Sequence, residues 1–310
     1  MARSWALGLL SLLTAASPAW GAPAPKPVAE VVRTLAKKGH KPDPRKDVQN
    51  WPVRRPETPP YPLQVPAMGA IPFQQGERLQ YKVQMMNMDA GEVMLGVGNR
   101  SKVGAVPVVP LVGWVRASAA LAKFYPLNDR LEVLVDERTF LPLHVDFTIE
   151  EQGMKLQYLT QYNQAGKFIL TTRKRPNEKD VIRNFTPVRE VFDAMSSIYA
   201  ARRMDLKPGQ AFSYYVWDGR RERMLSVKAV GYEKVWTEAG WFDTVRIDLL
   251  AQITGTTIDR KDLEMAPQKG SAWIGLDPER TPVKVLTPTK LGDATGLLVK
   301  RFVDTSGAKP

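Results

Sequence analysis

The sequence predicts a mainly β protein: a curved antiparallel sheet, or partly closed β-barrel or half-barrel, carrying one principal helix at about residues 187–204. Three observations lead there. Runs with apolar residues at every second position recur along the chain, as in Leu79, Tyr81, Val83 and Met85, and that period belongs to a strand with one buried face. Turn residues separate consecutive runs at hairpin spacing. A single segment switches to the helical period, with Val188, Val191, Phe192, Met195, Ile198 and Tyr199 on one stripe.

The chain opens on Arg3, the apolar run Trp5 to Leu13, and the small residues Ala19 and Gly21 before Ala22. This is the pattern of a cleavable secretory signal peptide over residues 1–21, cut between Gly21 and Ala22. The apolar run is shorter than the roughly 20 residues a membrane span needs. Residues 22–72 then hold 12 of the 25 prolines, a density that supports neither helix nor sheet and predicts an extended, largely disordered arm. One island in it, Val28, Val31, Val32 and Leu35, has helical spacing, but isolated helices this short are marginal in water.

From Phe73 to the end the sequence reads as one β-rich domain. The run Leu79 to Met85 turns at Asn87 to Gly91 into Glu92 to Leu95. Leu131/Val133/Val135 and Leu143/Val145/Phe147/Ile149 follow, and a turn at Glu151-Gln152-Gly153 leads into Met154/Leu156/Tyr158/Thr160. The helix starts after Thr186-Pro187, a cap residue and a residue suited to the first turn, and ends before Pro208-Gly209. Phe212/Tyr214/Val216, an Asp218-Gly219 turn, Leu225/Val227/Ala229, a Glu238-Ala239-Gly240 turn and Val245 to Ile253 continue the hairpins. Between the first pairs, Val106 to Ala122 is apolar with Arg116 as its one charge, which fits a buried strand or the lip of a cavity.

Composition narrows the function. The chain has no Cys, which removes disulfides, thiolate nucleophiles and Cys-based metal sites, so an exported domain must stand on its core. The formal charge is +12. Nine Lys or Arg against four Asp or Glu lie between Ala22 and Pro72, so the excess is shared between arm and domain. That balance suits lipid head groups or other anionic envelope components. Nucleic acid is not expected, for no groove-reading motif is present.

Residues with chemistry are sparse. His144 alternates with Leu143 and Val145 and so faces away from the core beside Asp146. Glu150-Glu151 sits at a hairpin end, and Asp259, Asp262 and Glu264 lack the ordered spacing of a calcium loop. There is no nucleophile elbow, phosphate loop or dinucleotide fingerprint. No catalytic residue, metal site or cofactor is therefore expected. Trp114, Trp217, Trp236, Trp241 and Trp273 lie in or beside strands and read mainly as core. Where the sheet curves around the helix, Trp114, Phe192, Met195 and Trp273 are the candidates for lining a ligand cavity.

Several segments, in order, resemble one family. They are Phe73-Gln74-Gln75-Gly76-Glu77-Arg78-Leu79-Gln80-Tyr81, then Val191 to Tyr199 running into Leu206-Lys207-Pro208-Gly209, then Trp217-Asp218-Gly219, Thr237 to Thr244, Ala272-Trp273-Ile274-Gly275-Leu276-Asp277 and Thr281-Pro282-Val283. Over about residues 73–300 the chain is similar to domain of unknown function 3108. The resemblance implies a β-rich bacterial envelope protein with no established activity, and it supplies no catalytic residue. Gly275-Leu276 stands where the family often has Ser before the Asp.

Together these readings point to an exported, periplasmic, non-enzymatic protein. It binds or shuttles an apolar or amphiphilic envelope component and touches the membrane at most peripherally. Two alternatives are an envelope scaffold that holds another envelope protein through its arm, and a glycan-active hydrolase with two carboxylates in one cleft.

Overall fold

A computed structural model describes residues 58–187, 189–219, 221–254, 267–289 and 292–304. The signal segment, the arm as far as residue 57, and Asp259, Asp262 and Glu264 lie outside the described residues.

The first half of the domain is a run of hairpins: β1 (Glu77–Met85), β2 (Met88–Val97), the short β3 (Ser101–Val103), β4 (Val106–Ala117), β5 (Asn128–Asp136), β6 (Pro142–Glu151), β7 (Met154–Asn163), β8 (Phe168–Lys174) and β9 (Val181–Phe185). Then come β10 (Val191–Phe192), the helix α1 (Ala194–Ala201), β11 (Ala211–Trp217), the long pair β12 (Glu222–Thr237) and β13 (Gly240–Ile253), β14 (Gln268–Gly275), β15 (Pro282–Thr289) and β16 (Gly292–Val303). Nearly every strand pairs with its sequence neighbour, and β16 returns to pair with β1. One continuous sheet thus runs from β10 through β16 and β1 to β9, antiparallel except for the β10·β11 pair.

Its two edges, β9 and β10, are consecutive in sequence, so the sheet has to curl until they approach. They are joined by side chains and not by a backbone ladder. Phe185 stacks on Trp217 with centroids 4.6 Å apart, and Trp217 Nε1 donates to Thr171 Oγ1 at 3.2 Å. The Gln164 amide donates to the Val191 carbonyl at 2.8 Å and accepts its N–H at 3.2 Å. The result is a large open, barrel-like sheet, mainly β, with one α-helix among the described residues, as the period-two runs predict. Leu79, Tyr81, Leu95, Leu111, Leu131 and Val133 are buried on its inner face.

Three local expectations change. Thr186 does not cap the helix, and residues 187–204 are not all helical. Val191 and Phe192 pair with Tyr215 and Val216, and the helix begins only after Asp193, whose carboxylate accepts the N–H groups of Met195 (2.8 Å) and Ser196 (3.2 Å) while Ser196 Oγ accepts the Asp193 N–H (2.9 Å). This reciprocal capping satisfies donors that a start at Pro187 leaves open. The first hairpin turns on Met86-Asn87, both at positive φ, and not over Asn87 to Gly91. A two-residue turn of this hand matches the twist of the flanking strands.

The third change concerns the arm. Residues before Phe73 already belong to the domain: Leu63 bridges Ser213 in parallel, Ser213 N–H donates to the Pro62 carbonyl at 2.8 Å, and Met68 bridges Met204. Because β10 covers only Tyr215 and Val216 of β11, this segment shields the part of the edge that β10 leaves open.

Candidate functional site

Helix α1 lies across the inner face of β11 to β15, and between them is an apolar cavity of about 70 Å³. Ala194, Ser197 and Ala201 of the helix and Ala251 and Ala272 of the sheet lie in its lining, and larger side chains such as Tyr81, Phe212, Tyr214, Val227, Ile247 and Ile274 complete the walls. The cavity carries one guanidinium, that of Arg223, held by Asp218 Oδ2 at 2.9 Å and Gln268 Oε1 at 3.0 Å.

The four cavity candidates divide between the two faces of the sheet. Phe192 and Met195 are buried inside near the helix, Phe192 edge-on to Tyr214 at 5.2 Å, but neither lines the cavity. Trp114 and Trp273 are buried on the outer face. Trp273 alternates with Ala272 and Ile274, which point inward, and it lies under Lys284 Nζ at 4.3 Å while its Nε1 donates to Glu233 Oε2 at 2.6 Å. Trp114 carries Arg116 over its ring at 4.5 Å. The period-two rule that identified these strands also separates the faces, so the sequence held that signal. What it did not show is that Ala194, Ser197, Ala201, Ala251 and Ala272 share the cavity lining with Tyr81, Phe212 and Tyr214.

A second cluster closes one end of the sheet. Arg202, just past the helix, and Glu77, at the start of β1, are both wholly buried. They form a two-pronged pair at 2.5 and 2.9 Å. Arg202 also donates to the Glu279 carbonyl and stacks over Phe73 at 4.6 Å and Tyr199 at 5.1 Å. Arg301 adds contacts to Glu77 (3.4 Å) and Glu279 (2.9 Å), and its hydrogen bond holds the Glu279 carboxyl below the usual range. Nearby, Asp277 accepts the Thr281 hydroxyl at 2.6 Å, and Tyr81 donates to the Pro282 carbonyl at 2.7 Å. A Cβ on Gly275 would lie 1.9 Å from Asp277 Oδ1, so a side chain at 275 and this turn exclude one another. Four of the six segments that carry the family resemblance, those containing Phe73 to Tyr81, Tyr199, Gly275 to Asp277 and Thr281-Pro282, therefore meet in one joint between the helix end and the sheet. Their role is structural: a buried guanidinium is tolerated only while its carboxylate partner and the surrounding acceptors stay in place.

The third cluster gathers carboxylates. Asp129 is fully buried on the inner side of β5 and accepts the Glu150 N–H at 2.9 Å, while Oδ2 has no partner. Burial, with the charges of Glu151 and Glu150 beside it, pushes its carboxyl up to about 8. Glu151 is also raised by burial. Glu150 is lowered by its hydrogen bonds to Lys155 and Asn128 and lines an open cleft of about 570 Å³. Asp129 does not line that cleft, so Asp129 and Glu150 do not form a pair of acids flanking a substrate there. His144 faces outward as expected, yet it is largely covered, and burial lowers its pKa. Among the described residues no three His, Asp or Glu are grouped to hold a metal.

The fold and these clusters define a class: a mainly β, barrel-like domain with an apolar interior, one internal helix and no assembled catalytic group among the described residues. The chain belongs to the family described as protein of unknown function DUF3108, whose pattern matches residues 80–299. No curated protein matches it. Solved structures of similar outline include a beta-barrel-like protein of domain of unknown function DUF1849 from Brucella abortus, at 9% identity over 74% of this chain and 98% of the other, with a TM-score of 0.46. A candidate exported protein with a YmcC-like fold from Bacteroides fragilis has 12% identity over 76% of this chain and all of its own, with a TM-score of 0.34. A candidate lipoprotein from Parabacteroides distasonis has 9% identity over 77% and 100%, also with a TM-score of 0.34.

Proposed function

We propose that this chain is an exported envelope protein that acts by binding, and that its ligand is an apolar alkyl or acyl chain received between α1 and strands β11 to β15. The observation that carries the reading is the apolar cavity between α1 and the sheet, whose lining includes Ala194, Ser197, Ala201, Ala251 and Ala272. Native interiors are packed to crystal-like density, and a core selected only for stability fills such a gap with larger side chains. At about 70 Å³ it is smaller than the roughly 150 Å³ void that admits benzene, so a chain-length guest has to displace the helix. A helix that meets the sheet through small residues gives up little dispersion contact when it shifts. The basic composition and the N-terminal segment support delivery to an anionic envelope surface.

The test is native mass spectrometry of gently purified protein, with uptake of a fluorescent fatty acid, on the natural chain and on Ala251→Phe. The natural chain carries or takes up the apolar guest and Ala251→Phe does not. Absence of guest in both, or equal uptake by both, rejects the reading.

A further inference from the structure

Arg223 is the one charged side chain in the lining of the cavity under α1. It alternates with Leu225 and Val227 on β12, and all three turn to the cavity. Cross-strand rows locate it along the helix: Phe192 of β10 pairs with Val216 of β11, and Val216 pairs with Arg223. Asp193 and the first turn of α1 follow directly on Phe192, so the guanidinium stands at the end of the cavity where the helix begins. Its partners lie on the rim there. Asp218 belongs to the turn between β11 and β12, Gln268 opens β14, and both are partly exposed.

Packing gives no reason for a cation at this position. The inward line continues with Leu225, Val227 and Ala229, and an apolar side chain at 223 would extend it. Exchanging a buried ion pair for apolar residues of similar volume is often neutral or stabilising. What the arrangement supplies is a set of donors. A guanidinium carries five N–H groups in a planar fork. Nε donates to Asp218 Oδ2 at 2.9 Å and Nη1 to Gln268 Oε1 at 3.0 Å, whereas no acceptor among the described residues meets Nη2. Asp218 is itself held, since its Oδ1 accepts the Arg221 N–H at 2.7 Å. The fork is thus clamped on one side, and at 6% exposure its remaining donors are largely screened from water.

The charges at this end select the guest. Asp218 already balances the guanidinium, and the buried Asp193 carboxylate lies at the same end of the helix. Glu222 turns to the opposite face, where the Thr254 hydroxyl donates to it at 3.2 Å. A guest carboxylate would add an uncompensated charge in an apolar site, at a large cost. An uncharged carbonyl oxygen accepts the free donors without that cost. We propose that Arg223 binds the carbonyl oxygen of an acyl ester, so that the guest enters chain first and its ester stays at the rim beside Asp218 and Gln268. This assignment rests on the cavity reading above and narrows it to an esterified acyl chain, in preference to a free fatty acid or a bare alkyl chain.

The experiment is native mass spectrometry of the natural chain and of Arg223→Met, each titrated with methyl laurate, laurate and dodecane. The natural chain is expected to bind the ester about tenfold more tightly than the acid or the alkane, one decade being roughly 1.4 kcal/mol, as suits one hydrogen bond from a charged donor. Arg223→Met should bind the ester no better than the alkane. Asp218→Asn/Arg223→Met, which leaves no carboxylate without its cation, should do the same, and circular dichroism shows which variants fold. Equal binding of the three guests by the natural chain, tightest binding of laurate, or an ester preference that survives in a folded variant overturns the assignment and leaves the cavity reading standing. Binding of none of the three overturns both.

Discussion

Replacing Asp129 by Asn should stabilise the protein increasingly as pH rises, by roughly 2 kcal/mol at pH 5 and roughly 5 kcal/mol at pH 8. In the unfolded chain this carboxyl titrates near 3.8, and burial raises it to about 8 in the folded one. Between those values the folded state holds a proton that the unfolded state has released, so stability falls as pH rises. At about 1.4 kcal/mol per pH unit, the folded protein loses roughly 3 to 4 kcal/mol from this group between pH 5 and pH 8. Asn keeps the oxygen that accepts the Glu150 N–H and has no charge to bury, so it removes that loss. Urea unfolding of both proteins at pH 5, 6, 7 and 8 measures the difference directly. Glu151, Asp146, Asp193 and Glu222 are raised by burial too and slope the same way, but they are common to both proteins and cancel. Parallel stability curves, or a variant weaker at pH 8, would refute the reasoning.

Glu77→Gln leaves Arg202 buried without its countercharge and should cost about 3 to 5 kcal/mol in chemical denaturation, while Glu77→Leu with Arg202→Met should recover much of it because neither charge is then buried. Asp193→Ala removes the carboxylate that accepts the Met195 and Ser196 N–H groups and should lower stability by about 1 to 2 kcal/mol, whereas Asp193→Ser should retain most of it. Gly275→Ala forces the Asp277 turn apart; a loss of about 1 to 3 kcal/mol is expected in the thermal midpoint, and an unchanged midpoint would mean the turn has room that its geometry denies.

Much of the sheet was legible because a strand with one wet face writes its period into the sequence. Leu79/Tyr81/Val83 and Leu131/Val133/Val135 are buried as their alternation requires. The helix start is not legible from Thr186-Pro187, because only the pairing of Val191-Phe192 with β11 moves it to Asp193. Proline density speaks for extension but says nothing of whether an extended segment such as Leu63 to Met68 lies along an edge. For the cavity, alanines carry no mark in the sequence of the space they line.

The sequence by itself determined the β class, the hairpin order and the family, since these rest on local periodicity, turn chemistry and ordered motifs. It also placed His144 on the outer face. The tertiary structure alone decided that Glu77 meets Arg202, 125 residues away, that Asp129 is sealed beside Glu150, and that Trp236 and Trp241 stand in solvent. Each of these depends on where a curling sheet brings distant strands or where one bulge shifts a register. No local pattern encodes such an outcome, because the energies that fix it are shared among residues the chain keeps far apart.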